Sequence, residues 1–428
     1  MKKIAVIILS TLSLAGFAQN TMYFMESLPQ AITYNPAIIP DARLSVSLPG
    51  IGGVTTKGYN SGFNYSEFDN FMDNLEREGY DPDEFVNSID GNNEFFAESR
   101  VNMLRVGFKL KDKGYFSFFS DINNVITLNA PPEIAYLLAD YDDLSEDKFP
   151  VTVDNLDLMT NTYMTIGFTY SRRVTGNLTL GISPRLNSNL VGIKTDHINY
   201  KVEIDDEAGG EFREYDQTFS GEAVVGLPFE MNSAAIVDGV VDLEEGIFPE
   251  NWEDELKLSD LFSSTTISID LGATYTLNRF FFSASLLNLG GSKWKTYGYR
   301  LNGDEETIAI NEDEKVKIEL PAKMYLGANY QFSPKWNGGF LLHNTFYPTG
   351  SNTSATLSLN GALSKILSTS VSYTASPRFD NLGLGLRLRF LPGTDLFLVT
   401  DNLIQCINYK RAHTFSAAAG INLSLGVN

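Results

Sequence analysis

The chain holds a single cysteine, Cys406, and only three histidines, His197, His343 and His413. One thiol closes no internal disulfide, so cross-links do not hold this fold together. Cys406 is expected to be a small buried hydrophobe in ordinary strand and turn. No Gly-x-Ser-x-Gly, His-Glu-x-x-His or phosphate-cradling glycine loop accompanies the histidines, and no acidic stretch has the regular spacing of a calcium loop. The expectation is therefore no catalytic residue, no metal, no cofactor and no enzyme activity. Positive charge is also scarce, with 32 Lys and Arg against 53 Asp and Glu and a formal net charge of −21. A chain this acidic lacks the concentrated basic surface that phosphate backbones need, which excludes nucleic acid as a partner. Long apolar runs are missing too. Nothing past the first residues approaches the roughly 20 consecutive apolar residues of a membrane helix, so a membrane can be crossed only by strands.

What is present begins with residues 1–18, where Lys2 and Lys3 precede an apolar run from Ile4 to Leu14 and the small residues Gly16 and Ala18. That layout predicts a secretory signal peptide cleaved after Ala18. Further on, period-two alternation dominates. Phe415, Ala417, Ala419, Ile421, Leu423 and Leu425 alternate with Ser416, Ala418, Gly420, Asn422 and Ser424. The leucines at 382, 384, 386 and 388 face away from Gly383, Gly385, Arg387 and Arg389, and Ile267, Ile269 and Leu271 from Ser268 and Asp270. These segments run about 9 to 13 residues, the length of a tilted membrane strand and longer than the 5 or 6 usual in soluble sheets. Tight joins such as Lys111–Gly114, Arg173–Asn177 and Phe332–Asn337 alternate with long inserts, an asymmetry typical of outer-membrane barrels. The predicted fold is all-β, an antiparallel transmembrane barrel of about 14 strands, within a range of about 12 to 16.

Charge is unevenly placed. Five inserts, 67–98, 133–148, 203–216, 238–260 and 304–314, hold 39 of the 53 acids and only Arg77, Lys148, Arg213 and Lys257. They read as acidic outer loops on a neutral-to-basic scaffold. Two of them carry helical spacing: Phe68, Phe71, Met72 and Leu75 behind a Ser66 cap, and Ile134, Leu137, Leu138 and Tyr141. Arg105, Lys109, Arg185, Lys323, Arg387 and Arg389 fall opposite the apolar stripe, which places them in the lumen. There they either draw anionic solutes or pair internally with acids such as Asp270 and Glu222.

Between the signal and the first alternation stand Pro29, Pro36 and Pro40 and the step Asn35, Pro36, Ala37. Prolines lack the N–H a strand would use, and an Asn side chain bonds nearby backbone. The stretches "YFMESLPQAITYNPAIIPDARLSVSLPGIG", "GYNSGFNYSEF" and "SLLNLGGSKW" resemble a family of uncharacterised outer-membrane barrels of Bacteroidota. The Asn-Pro-Ala step is similar to one in the long-chain fatty-acid transporter superfamily, which includes a type IX secretion shuttle protein. That resemblance implies that residues 19–41 form a hatch-like segment inside the barrel of residues 42–428; a periplasmic tail ending at the first strand is the alternative. It implies passage or binding of a small hydrophobic ligand, or, alternatively, a scaffold or accessory subunit of an outer-membrane or type IX secretion complex. Expected partners are outer-membrane lipids and lipopolysaccharide, such a ligand and an outer-membrane protein, with Trp294 at the membrane interface.

Overall fold

The structure, a computed structural model, describes residues 19–426 apart from 76, 78, 90, 112–113, 140, 206–213, 228–235, 238–239, 242–264, 291–296, 305–306, 312–319, 348–349, 377–379 and 392. The expected signal peptide and Trp294 lie outside the described residues.

Fourteen wall strands close on themselves. In chain order they are β1 (Leu44–Ser47 and Val54–Asn60), β2 (Asn93–Leu110), β3 (Gly114–Ala130), β4 (Val151–Arg173) and β5 (Leu178–Ile204). Next come β6 (Tyr215–Leu227 and Thr265–Leu277), β7 (Phe280–Leu289 and Tyr297–Asp304) and β8 (Thr307–Asn311 and Ala322–Ser333). The wall ends with β9 (Trp336–Tyr347), β10 (Gly350–Ala362), β11 (Leu367–Ala375), β12 (Asp380–Leu391), β13 (Thr394–Thr400) and β14 (Thr414–Leu425). Each pairs antiparallel with its chain neighbours, and β14 closes the ring on both parts of β1. Closure pairs the described strands of the ring on both sides, which is the condition for β-structure in a hydrocarbon layer. The expected fold and the number fourteen are both borne out.

Period two decides the faces. On β14, Leu423 is 44% exposed and Asn422 0%, and on β6, Ile267 is 66% exposed beside a fully buried Ser268. Outside, leucine, isoleucine, phenylalanine and tyrosine form a continuous skin; inside are Ser, Thr, Asn and charged residues. Among the described residues no helix is long and apolar enough to cross a membrane.

Short joins, including 174–177, 278–279 and 334–335, gather at one end; the described inserts between Asn60 and Asn93, between Ala130 and Val151 and between Thr400 and Thr414 lie at the other. There α2 (Tyr65–Asn74), α3 (Asp83–Ser88) and α4 (Ile134–Leu138) pack into a small cap, with Phe71 stacked on Phe85 at 4.3 Å. Three readings change. Asn64, not Ser66, caps α2, in a reciprocal box with Glu67; both Asn and Ser cap well, and Asn64 alone has extended backbone. Cys406 is exposed on a short helix, α5 (Leu403–Ile407), because the β13–β14 loop turns outward there. The "loop" windows 67–98, 203–216 and 304–314 partly belong to lengthened wall strands, and Glu98 of β2 points into the lumen.

Candidate functional site

The first described residues, Gln19 to Asp41, run inside the barrel. They open with α1 (Gln19–Tyr23), continue through a 3-10 turn at Pro29–Thr33 and are almost wholly buried. Their side chains organise an apolar cluster in the lumen, in which Met22, Tyr23, Leu28 and Tyr34 pack with the wall residues Leu287, Tyr325, Leu341 and Phe397. Tyr23 stacks on Tyr325 at 5.4 Å and donates its hydroxyl to Ser283 at 2.9 Å, while Tyr325 stacks on His343 at 4.3 Å. Each such fully buried side chain contributes about 1.5–3 kcal/mol of gross transfer free energy.

The prolines now have a structural role. Asn35 Oδ1 accepts from Ala37 N at 2.9 Å and Asn35 O from Ile38 N at 3.0 Å, a tight turn with Pro36 at its second position. That turn sits on a plot of wall cleared of side chains. Gly181 of β5 and Gly272 of β6 are cross-strand partners, and Gly272 in turn faces Ser285 of β7. A Cβ at Gly181 would overlap the Pro36 carbonyl, and one at Gly272 would overlap Asn35 Oδ1. Beside the plot, Ser171 Oγ donates to Pro36 O at 2.5 Å and Ser285 Oγ to Tyr34 O at 2.6 Å. Asn35 Nδ2 reaches the carbonyls of Ala273 and Ala284 at 3.4 and 3.3 Å.

Two further fastenings hold the middle of the segment and its start. Gln30 Nε2 donates to Gly52 O at 2.6 Å, in the six-residue bulge that splits β1, and exchanges bonds with Asn422 at 2.7 and 3.0 Å. At the start Asp401, just past β13, accepts from Asn20 N at 3.0 Å, from Thr21 N at 2.9 Å and from the Thr21 hydroxyl. Burial raises the Asp401 carboxyl from its ordinary value, opposed by these bonds.

Every candidate basic residue of the wall is engaged. Arg105 faces Asp121 at 3.5 Å, Arg185 meets Asp270, and Lys323 donates to Glu98 at 2.6 and 2.9 Å. Arg387 and Arg389 share Asp395, the first through two bonds at 3.1 and 2.9 Å, the second at 3.0 Å. Lys109 donates to the Asp41 carbonyl at 2.8 Å. Five of the six are thus paired with acids inside the barrel, as expected where a buried cation without a partner is strongly unfavourable.

Two cavities flank the inner segment. Towards the short joins lies a cavity of about 460 Å³, lined by Phe24, Met25, Ile38 and Phe281 among polar residues that include Glu26 and Lys335. Towards the long loops lies one of about 70 Å³, between Asn20 and the outer ends of the wall strands. Glu26 borders the larger chamber and accepts from Asn329 Nδ2 at 2.9 Å. Burial pushes it from 4.5 up to about 7, the Asn329 bond opposing and Asp41 adding. A raised value means the seated segment holds the proton more tightly than a released one. Seating is then strongest below pH 4.5, weakens as pH rises towards about 7 and is constant above. After discounting for solvent in the chamber, this amounts to about 1–2 kcal/mol. Amide hydrogen exchange in residues 22–34, corrected for intrinsic rates, should be faster at pH 8 than at pH 5. Glu26→Gln should flatten the difference.

Residues 36–312 and 304–401 match the description "Family of unknown function (DUF5723)". The chain belongs to this family. The resemblance to an uncharacterised barrel family thus holds at the level of the family. No curated protein matches this DUF5723 chain. Its fold is similar to that of the toluene transporter TbuX of Ralstonia pickettii, at 10% identity over 92% of this chain and 91% of that one, with a TM-score of 0.44. The toluene transporter TodX of Pseudomonas putida shows 11% identity over 92% and 91%, TM-score 0.44. A FadL homologue of Pseudomonas aeruginosa shows 11% over 92% and 93%, TM-score 0.43.

Of the residues singled out in the sequence, Asn35, Pro36 and Ala37 lie together on the glycine plot, and the six basic residues lie apart along the wall. Sequence reasoning missed Gly181, Gly272, Ser171, Gln30 and Asp401. A lone glycine at an inward strand position does signal close backbone approach. That the two glycines face each other needs the β5–β6 register, across an insert of unpredictable length.

Proposed function

We propose that this protein spans the outer membrane and that residues 19–41 close its lumen as a hatch, against which a small ligand with an apolar body binds or past which it moves. The observation that carries the reading is the placement of the inner segment between two chambers of one closed, apolar-skinned barrel. An arginine or lysine on such a skin would cost about 2–4 kcal/mol at the midplane, and the exposed large side chains of the described strands are accordingly dominated by Leu, Ile, Phe and Tyr. The larger chamber offers an apolar floor made by the segment itself, Phe24, Met25 and Ile38, and its volume falls in the usual range for small-molecule sites.

The test is deletion of residues 19–41 in protein reconstituted into liposomes. With the lumen emptied, small-solute swelling rates should rise about tenfold or more, since a barrel of this strand number is wider than its own side chains can fill. Unchanged flux would refute a closing role. A scaffold role in an outer-membrane or secretion complex is the second reading, favoured by the exposed Ile404, Ile407 and Tyr409 at the long-loop end. A stoichiometric partner retained in mild detergent, with flux insensitive to the deletion, would select it.

A further inference from the structure

One loop at the long-insert end differs from its neighbours in charge. The inserts between Asn60 and Asn93 and between Ala130 and Val151 are acidic, whereas residues 402–413, between β13 and β14, hold Lys410 and Arg411 and no acid. Both cations are exposed. Among the described residues neither has an ion-pair partner, unlike Arg105, Arg185, Lys323 and Arg387 of the wall. Beside them lie Ile404, Ile407 and Tyr409, which are 60%, 78% and 55% exposed. Three large apolar side chains so open would be a liability on a loop that met only water.

The local fold explains the arrangement. Gln405 of α5 turns towards the lumen, where its side-chain oxygen accepts from Thr414 N at 2.8 Å and its nitrogen reaches Asn381 Oδ1 at 3.4 Å. At about 100° per helical residue, Ile407 then falls on the opposite face of the helix, away from the barrel axis. The rest of the loop is pinned to the neighbouring insert. His413 O accepts from Asn60 N at 2.9 Å, Ala412 O accepts from Tyr65 N at 3.2 Å, and the Tyr409 ring meets Tyr65 edge-on at 5.6 Å. Lys410 and Arg411 follow each other in the 3-10 turn Tyr409–Arg411, so their side chains diverge by about a third of a turn.

The level of this loop in the membrane follows from β14. That strand is 12 residues long, enough when tilted to cross the hydrocarbon layer, and its outward row starts at Phe415 and runs through Ala417, Ala419, Ile421, Leu423 and Leu425. The residues just before Thr414 therefore stand where acyl chains give way to headgroups. Tyrosine rings and the cationic ends of Lys and Arg favour that level.

We infer that the β13–β14 loop docks an outer-leaflet lipid with an anionic phosphate headgroup, Lys410 and Arg411 meeting the phosphate and Ile404, Ile407 and Tyr409 lying against the acyl chains. Charge complementarity selects this occupant, since the acidic inserts beside the loop repel an anionic headgroup and the loop supplies the positive charge that holds it. The inference rests on the membrane-spanning reading and is independent of the hatch.

The experiment is native mass spectrometry of the full mature chain, released from mild detergent with phosphatidylglycerol or phosphatidylcholine added as probe. Phosphatidylglycerol should be retained preferentially. Lys410→Ser combined with Arg411→Ser should lower its affinity about tenfold or more, whereas Lys410→Arg combined with Arg411→Lys should leave it unchanged. Heat-modifiable migration in each variant certifies the barrel, so a failure of the membrane-spanning reading is seen separately from a failure of the lipid site. Equal retention of the two lipids overturns the inference, as does phosphatidylglycerol binding that the double serine variant keeps. Full displacement by inorganic phosphate, the mark of a plain anion site, also overturns it, as does a protein partner held through Ile404, Ile407 and the two cations.

Discussion

Gly272→Val should expel the Asn35–Pro36–Ala37 turn from the wall while leaving the barrel intact. The added Cβ would fall on Asn35 Oδ1, at 2.8 Å from Ala37 N and 2.9 Å from Pro36 Cδ, so the collision is with a proline-stiffened turn and not with a swinging side-chain end. Overpacking of this kind costs about 1–3 kcal/mol where neighbours can shift. Here the neighbour cannot shift without breaking the Ser171 and Ser285 bonds to the Pro36 and Tyr34 carbonyls. Valine favours the strand itself, so the wall has no reason to fail. Gly338→Val is the control, because a Cβ there meets nothing closer than 3.8 Å. Hydrogen exchange across residues 29–38 should accelerate in the first variant and not in the second, and liposome swelling should follow the same order. Protection unchanged in Gly272→Val would mean the segment is not held by this seat.

Asp401→Ala should release the other end. Two backbone amides and a hydroxyl, at Asn20 and Thr21, converge on this one carboxylate. Deleting it strands buried donors at about 1–3 kcal/mol each. Even a total near 3 kcal/mol raises the undocked fraction of α1 about a hundredfold. Exchange at the Asn20 and Thr21 amides reads the effect directly, with the Pro29–Thr33 turn as the internal reference. Asp401→Asn keeps one acceptor oxygen and should fall between the two. If Asp401→Ala exchanges like the parent, the clamp is incidental and α1 is held by the packing of Met22 and Tyr23 alone.

The two fastenings differ in how visible they are in the chain. The Asn-Pro-Ala turn is local: Asn35 bonds Ala37 two residues on, and proline marks the place. Its seat is not local, because Gly181 and Gly272 are 91 positions apart in number and meet only through the β5–β6 register. Asp401 likewise looks like one more acid in a loop until β13 and β14 bring it over the first residues of the inner segment. The short helix at Ile134 was legible from its spacing, whereas Cys406 stands on an equally short helix that a strand-and-turn reading of its segment missed.

Strand after strand, the sequence by itself determined which side chains face out and which face in, because that alternation is set within each strand by the geometry of neighbouring residues. It also determined that a membrane could be met only through strands, and that a proline-rich segment would precede the first of them. Only the tertiary structure decided that Arg185 answers Asp270, that Lys323 answers Glu98 and that two glycines clear a seat for Pro36. Those outcomes depend on register and on the shape of an enclosed lumen, and both arise only when strands distant in the chain have closed into a ring.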